Sequence, residues 1–313
     1  MEKTKNLKSN SKVTKLIPYL GLIAVVILFV ATTKGAFLRP SNLQTILLQA
    51  VIVIVAGVGV TFVMAHGNLD FSVGGEMAIA AIVAYFAGQI SPWLCLPVAM
   101  VTGMACGCFS AWANSVMKIP AFIAGMCVMF VGRGLALGLS MTIKMTTPTA
   151  LVFLDQSWVY ILVMIVVVVV GYILLDYTKI GRYNKAIGAN ETAAKLSGVN
   201  VTKYKMAAFM ISGACMGVCA LISMVQGRSI TSNTGLNVET NTLIALILGG
   251  LPLAGGTSVS IRSIVIGALT FYALYNGLVL WGLTPEMINI VKAIVFLACV
   301  AISFDRKGSV VPD

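Results

Sequence analysis

Between Leu16 and Ile302 the chain consists of ten runs of nearly unbroken apolar residues, separated by short pieces that carry charge, glycine or proline. They are Leu16–Thr32, Leu43–Ala65, Val73–Ala87, Leu94–Trp112, Ala121–Leu139, Val159–Leu175, Ala207–Val225, Leu243–Leu253, Ile264–Leu280 and Met287–Ile302. A helix needs roughly 20 apolar residues to cross a bilayer, and only helices and closed barrels satisfy their backbone groups in lipid. The runs are too long and too uniform for barrel strands. With 59% hydrophobic residues, 10% charged and a mean hydropathy of +0.98, the chain is excluded from the ordinary soluble class. The expected fold is therefore all-α and polytopic, with about ten transmembrane helices. It divides into a tail over 1–15, one membrane domain over 16–304 with a cytoplasmic loop at 177–205, and a second tail over 305–313. The third and eighth runs are short and rich in glycine, and are expected to be broken or re-entrant.

The cations set the orientation, because cytoplasmic loops retain Lys and Arg. With the N-terminus inside, the inner pieces hold Lys3, Lys5, Lys8, Lys12, Lys15, Lys118, Lys179, Arg182, Lys185, Lys195, Lys203, Lys205, Arg262, Arg306 and Lys307. The outer pieces hold only Lys34, Arg39, Lys144 and Arg228. An even number of crossings with both ends in the cytoplasm follows. The net charge of +11 is then a topological signal that also attracts anionic lipid, and it does not point to nucleic acid. The basic start before the first run resembles a signal peptide, but the run is long for one and lacks an A-x-A site, so it is read as a retained helix.

The sequence offers little for chemistry. Seven cysteines lie in or beside apolar runs without a CxxC pair, and Cys215 and Cys219, one turn apart, read as small hydrophobes. His66 has no second histidine for a metal, and no phosphate-binding G-x-x-x-x-G-K-[ST] stretch or nucleophile–base set occurs. No catalytic residue, metal site or cofactor is assigned to this chain.

Two polar interruptions stand out. In "HGNLDFSVGGEMAIAA", Asn68, Asp70, Ser72 and Glu76 lie at the start of the third run, with Asp70 and Ser72 read as helix caps and Glu76 one turn deeper, near the membrane edge. Asn237, Glu239 and Asn241 stand at the start of the eighth run, which enters from the opposite face. Two short helices with polar N-termini entering from opposite sides are what an inverted repeat of five and five spans leaves behind. An ionisable residue inside a span is a functional candidate by default, so Glu76 is read either as a gate or as part of a capping network. Arg133 and Lys292 are buried cations, placed either in an outer vestibule with Asn276 and Asn289 or snorkelling to head groups. In the loop "YTKIGRYNKAIGANETAAKLSGVNVTKYK", Asn190 caps a short surface helix that Gly198 ends, read as a solvated connector or as a docking element.

The segments "GNLDFSVGG", "IPAFIAGM", "IGRYNKAIGANETAAKLSGVNV", "LILGGLPLAGG" and "YNGLVLWGL" followed by "IVKA" occur in one order over Gln44 to Ile302. In this the chain resembles the permease subunits of ribose-type ATP-binding-cassette importers, and G-x-N-x-x-A-A-x-x-S-G is the most specific part. The resemblance implies a fold like that of the vitamin B12 importer permease (type II), in the cytoplasmic (inner) membrane of a prokaryote. It implies a second permease copy or close homologue, a cytoplasmic ATPase that holds the ATP and Mg in two nucleotide sites, and an extracytoplasmic solute-binding protein. It also assigns Gly188, Asn190, Glu191, Ala193, Ala194, Ser197 and Gly198 to the helix that docks on the ATPase. Glu76 falls where relatives carry a small or apolar residue, Glu239-Thr240-Asn241 replaces their E-L-D, and Pro252 replaces a small polar residue. A monosaccharide is the expected solute, with nucleosides, a sugar-derived signalling molecule or branched amino acids as alternatives. Outside this class stand a secondary transporter using Asp70 or Glu76, and a passive pore.

Overall fold

The computed structural model describes residues 2–252, 255–256 and 258–303, without the side chains of 2–15, 17, 299, 300, 302 and 303. All elements among these residues are helical. They are α1 (Glu2–Thr32), α2 (Pro40–Ala65), α3 (Val73–Ile90), α4 (Cys95–Ser115), α5 (Ala121–Thr142), α6 (Ser157–Tyr177), α7 (Lys179–Ala189), α8 (Glu191–Leu196), α9 (Val201–Gly227), α10 (Val238–Leu248), α11 (Ile261–Leu280) and α12 (Pro285–Ser303), with three short 3₁₀ turns between them. Nine of the ten apolar runs fall on one of these helices to within a residue, and the eighth begins on α10 and runs past its end at Leu248. Seven of the helices, α2 to α6, α9 and α11, are long and apolar enough to cross a membrane among the described residues. The backbone is already helical at Glu2, where a non-helical tail is expected from the Lys- and Asn-rich composition. The tail at 305–313, the end of the eighth run at Leu253 and the cations Arg306 and Lys307 lie outside the described residues.

The chain is organised around α2. Its residues from Ala50 to Ala65 are almost all buried, and it packs against α6, α9, α10 and α11. Close approach comes from glycine, as expected where lipid leaves no hydrophobic drive between helices and backbones must meet directly. The most extensive glycine contact joins α4 and α9: Gly103 and Gly213 face each other's carbonyls, Gly107 faces the carbonyl of Phe209, and Gly217 faces the backbone of Ala99 and Met100. These contacts run antiparallel, consistent with α4 and α9 entering from opposite sides. Cys215 and Cys219 lie on the opposite side of α9, against α2, with the Cys219 thiol 3.4 Å from the Ile52 carbonyl.

At one end, the Thr147 amide donates to the Arg228 carbonyl at 3.1 Å. There Asp155 accepts from the Tyr160 hydroxyl at 2.8 Å and from Arg228 at 3.0 Å. The Tyr160 hydroxyl, and then Arg228, hold the Asp155 carboxyl below its usual value. At the other end, the loop after α10 folds over the end of α2, where Gly256 N–H donates to the Ala65 carbonyl at 3.2 Å.

Candidate functional site

The polar interruption after α2 runs back into the bundle. His66 ends α2, with its ring 5.6 Å from that of Phe209, and Asn68 donates at 3.1 Å to Asn114, which in turn holds the carbonyl of Ile119. From Gly67 to Phe71 the chain is non-helical, and α3 begins deep in the bundle. The depth is read against α5: Gly75 and Gly132 pack backbone to backbone, and Gly132 lies eleven residues from Ala121 and ten from Thr142. At about 1.5 Å per residue that is the midpoint of α5. Glu76 is therefore central, not near an edge as its position in the sequence suggests, because the re-entering segment carries the helix start inward.

α10 begins at the same depth from the other side. Gly235, with φ +78°, and Asn237, with φ +62°, turn the chain into the bundle, and Gly235 and Glu239 sit directly against Gly74 of α3. The first turns of two interrupted helices thus meet beside the middle of α5. Three carboxylates occupy this junction, where helix N-termini favour negative charge. Asp70, Ser72 and Glu76 are fully buried and Glu239 is 4% exposed.

The carboxylates use their neighbours differently. Asp70 accepts from the Ser72 amide at 2.9 Å and from Ser212 of α9 at 3.3 Å. The Ser72 hydroxyl bridges Asp70 to Glu76, 2.9 Å from the Glu76 Oε1. Gly125 of α5 lies against the amides of Phe71 and Ser72, so α5 closes over the segment. Glu239 is ion-paired with Arg133, which ties α10 to α5. One oxygen of Glu76, one of Glu239 and the Arg133 Nε have no partner among the described residues.

The capping expectation holds only for Asp70, which accepts from the Ser72 amide at the start of α3. Neither Ser72 nor Asn237 makes a side-chain cap bond. Ser72 has helical backbone angles and turns its hydroxyl to the two carboxylates, while Asn237 is left-handed, not in the extended conformation from which a cap side chain reaches back to the helix N–H. The vestibule grouping also divides. Arg133 belongs to the junction, whereas Lys292 lies over the rings of Phe271 and Tyr275, 5.1 and 4.6 Å from their centroids. Asn276 is buried on α11, with its Oδ1 unpartnered among the described residues, and Asn289 is exposed. α11 packs on α1, α2 and α10, while α5 packs on α3 and α4.

The loop at 177–205 folds into two helices where one is expected. Asn190 caps α8, its Oδ1 accepting from the Ala193 amide at 2.9 Å, and Gly198 at φ +82° follows its end. The missed helix, α7, is announced by Thr178, whose hydroxyl accepts from the Ile180 amide at 3.2 Å, and by Gly181, Asn184 and Ile187 on one buried face. Gly188 lies against the Ala65 carbonyl and His66, which seats α7 on the end of α2. Glu191 pairs with Lys205 of α9 at 2.7 Å, and the Ser197 hydroxyl donates to the Ala193 carbonyl at 2.9 Å. Ala194 is buried, Ala193 is exposed, and Leu196, which sequence reasoning did not single out, is 85% exposed.

Residues 42–300 match the family model described as branched-chain amino acid transport system / permease component. The ribose import permease protein RbsC of Bacillus subtilis (strain 168) is 31% identical, over 94% of this chain and 94% of that protein. RbsC of Escherichia coli (strain K12) is 29% identical over 93% of each. The galactofuranose transporter permease protein YtfT of Escherichia coli (strain K12) is 30% identical, over 85% of this chain and 80% of that one. No solved structure matches the chain. A match to the family model across most of the described helices, with relatives of the same length, makes this chain a member of the branched-chain amino acid transport system permease family, on its sugar-permease side.

Proposed function

We propose that the chain is the permease subunit of an ATP-driven importer that carries a monosaccharide inward across the cytoplasmic membrane. The relatives named for ribose and galactofuranose support a furanose- or pentose-sized sugar over the amino acids in the family's description. In this reading all ten apolar helices cross the membrane, both ends are cytoplasmic, and the fold is of the type II kind. The two interrupted helices α3 and α10, entering from opposite ends and meeting at the middle of α5, support the inverted repeat. The working assembly is two permease chains, an ATPase with two nucleotide sites holding ATP and Mg, and an extracytoplasmic binding protein. This chain contributes no catalytic residue.

The observation that carries the reading is α8. A six-residue helix capped by Asn190 and held through α7 against the end of α2 presents Leu196 at 85% exposure, among exposed neighbours on α8 that are polar, charged or small. An apolar anchor on a rigid polar loop is what a groove on a partner needs. Closure of the ATPase moves α8, and α7 and α9 pass the motion to the end of α2 and the Asp70 segment. Such coupling requires contacts that differ between the two states.

The test is purification of the tagged chain from native membranes in mild detergent, with identification of what accompanies it. A co-purifying ATPase is expected, and Leu196→Asp is expected to lose it while the permease still inserts. A second reading, a secondary transporter using the buried pair Asp70 and Glu76, predicts recovery of the chain alone and uptake abolished by an uncoupler.

A further inference from the structure

A groove of about 440 Å³ opens between α1, α6 and α11, away from the junction and from α8. Its walls are almost wholly apolar, with Val168 and Val169 on one side and Val265 and Ile266 on the other. Its mouth carries Tyr19, Tyr172 and Arg262. Arg262 is exposed, and it has no ion-pair partner among the described residues. Val168 lies nine residues from Tyr177, the end of α6, so the groove reaches about 13 Å inward from the helix end. Half of a hydrocarbon core of roughly 30 Å is about the same depth.

We propose that this groove is a binding site for one anionic phospholipid of the cytoplasmic leaflet, one of its two acyl chains between α6 and α11 and its phosphate on Arg262. The leaflet assignment rests on the orientation given under Proposed function; the site itself does not. Two features favour a lipid over a second protein chain. The lining is apolar over about one leaflet's depth, which suits a single tail. The only charge at the mouth among the lining residues is a guanidinium, which matches a phosphate diester and has no counterpart in a neutral helix face. The tyrosines stand where aromatic side chains favour the interface between tails and head groups. The site is also placed to matter: α11 packs on α2, and α6 leads directly into α7, so a lipid wedged between α6 and α11 props the helix that enters the coupling loop and the helix that supports α2.

The test is native mass spectrometry of the intact permease after exchange into mixed micelles of phosphatidylglycerol and phosphatidylcholine. One phosphatidylglycerol is expected to be retained in about fivefold preference, the ratio that one cation near the surface supports. Arg262→Gln is expected to bring the preference to parity, and Arg262→Lys to keep most of it. Val265→Trp, which fills the groove, is expected to remove the retained lipid whatever its head group. Each variant is compared only where its size-exclusion profile matches the parent. An undiminished fivefold preference in Arg262→Gln, or a retained lipid in Val265→Trp, overturns the proposal. Loss of the preference on adding inorganic phosphate with the lipid still bound assigns Arg262 to free phosphate and overturns the head-group assignment. Lipid retention is read without any ATPase or sugar, so its failure is distinct from failure of the importer reading.

Discussion

Arg133 is the residue on which the junction depends, since it is the cation paired with Glu239 between two interrupted helices. Removing one partner of a buried pair leaves the other charge without compensation, which costs about 3–5 kcal/mol in full burial. The Arg133 side chain is 30% exposed, which lowers the expected cost to about 1–3 kcal/mol. Arg133→Gln is therefore expected to lower the melting temperature of the purified protein and to reduce uptake, and Arg133→Gln with Glu239→Gln is expected to recover most of the stability. A double variant no better than the single one rejects the pairing. Ser72 is tested separately. Its hydroxyl is the group shared by Asp70 and Glu76, so Ser72→Ala is expected to cost about 1–3 kcal/mol through the unsatisfied carboxylate, with uptake falling at an unchanged amount of protein in the membrane. Wild-type stability and uptake leave the bridge without a role. Asp70, Ser72, Glu76 and Glu239 are legible in sequence as polar residues in an apolar chain; that they meet is not, because some 160 residues separate the segments.

Among the helices, the contact of α3 with α5 sets the depth of the junction. Gly75 and Gly132 lie backbone against backbone, and a methyl group on either runs into main chain that has no rotamer with which to yield. Overpacking of this kind costs about 1–3 kcal/mol or more. Gly132→Val is expected to displace α3 and to abolish uptake, whereas Gly134→Val, two residues on with nothing within 4 Å of its position, is expected to be tolerated. Comparing the two in one uptake assay checks the depth assigned to α3, and equal loss in both removes the argument. The same reasoning explains why helix positions were readable and helix depths were not. Apolar length locates α3 and α10, although α3 runs to 18 residues where a short helix is expected, and the depth at which each begins depends on glycine contacts with a helix far away in the chain. α7 was missed for a related reason: it is half polar, and its buried face of Gly181, Asn184 and Ile187 contains only one residue that looks like core.

For the whole molecule, the expected arrangement places the coupling loop inside the cell. Thr192→Cys in a background without exposed thiols is expected to react with a membrane-impermeant maleimide only in inverted vesicles. Reaction in intact cells or right-side-out vesicles reverses the orientation and, with it, the leaflet of the proposed lipid. Thr192 is exposed on α8, so lack of reaction from both sides points to cover by a partner, which the presence or absence of the co-purified ATPase resolves.

The amino-acid order alone was sufficient for the class of molecule, an all-helical chain with several membrane-spanning helices, and for the family. Each of these depends on composition or on spacing within one segment, and bilayer physics converts such patterns into structure with little help from the rest of the chain. Tertiary structure decided that the two interrupted helices meet at the middle of α5, that Glu239 pairs with Arg133 and not with a residue of its own half, and that Lys292 lies over Phe271 and Tyr275. Those outcomes come from backbone contacts at glycine and from side chains that find partners across the fold, and no local pattern encodes which distant segment will supply the partner.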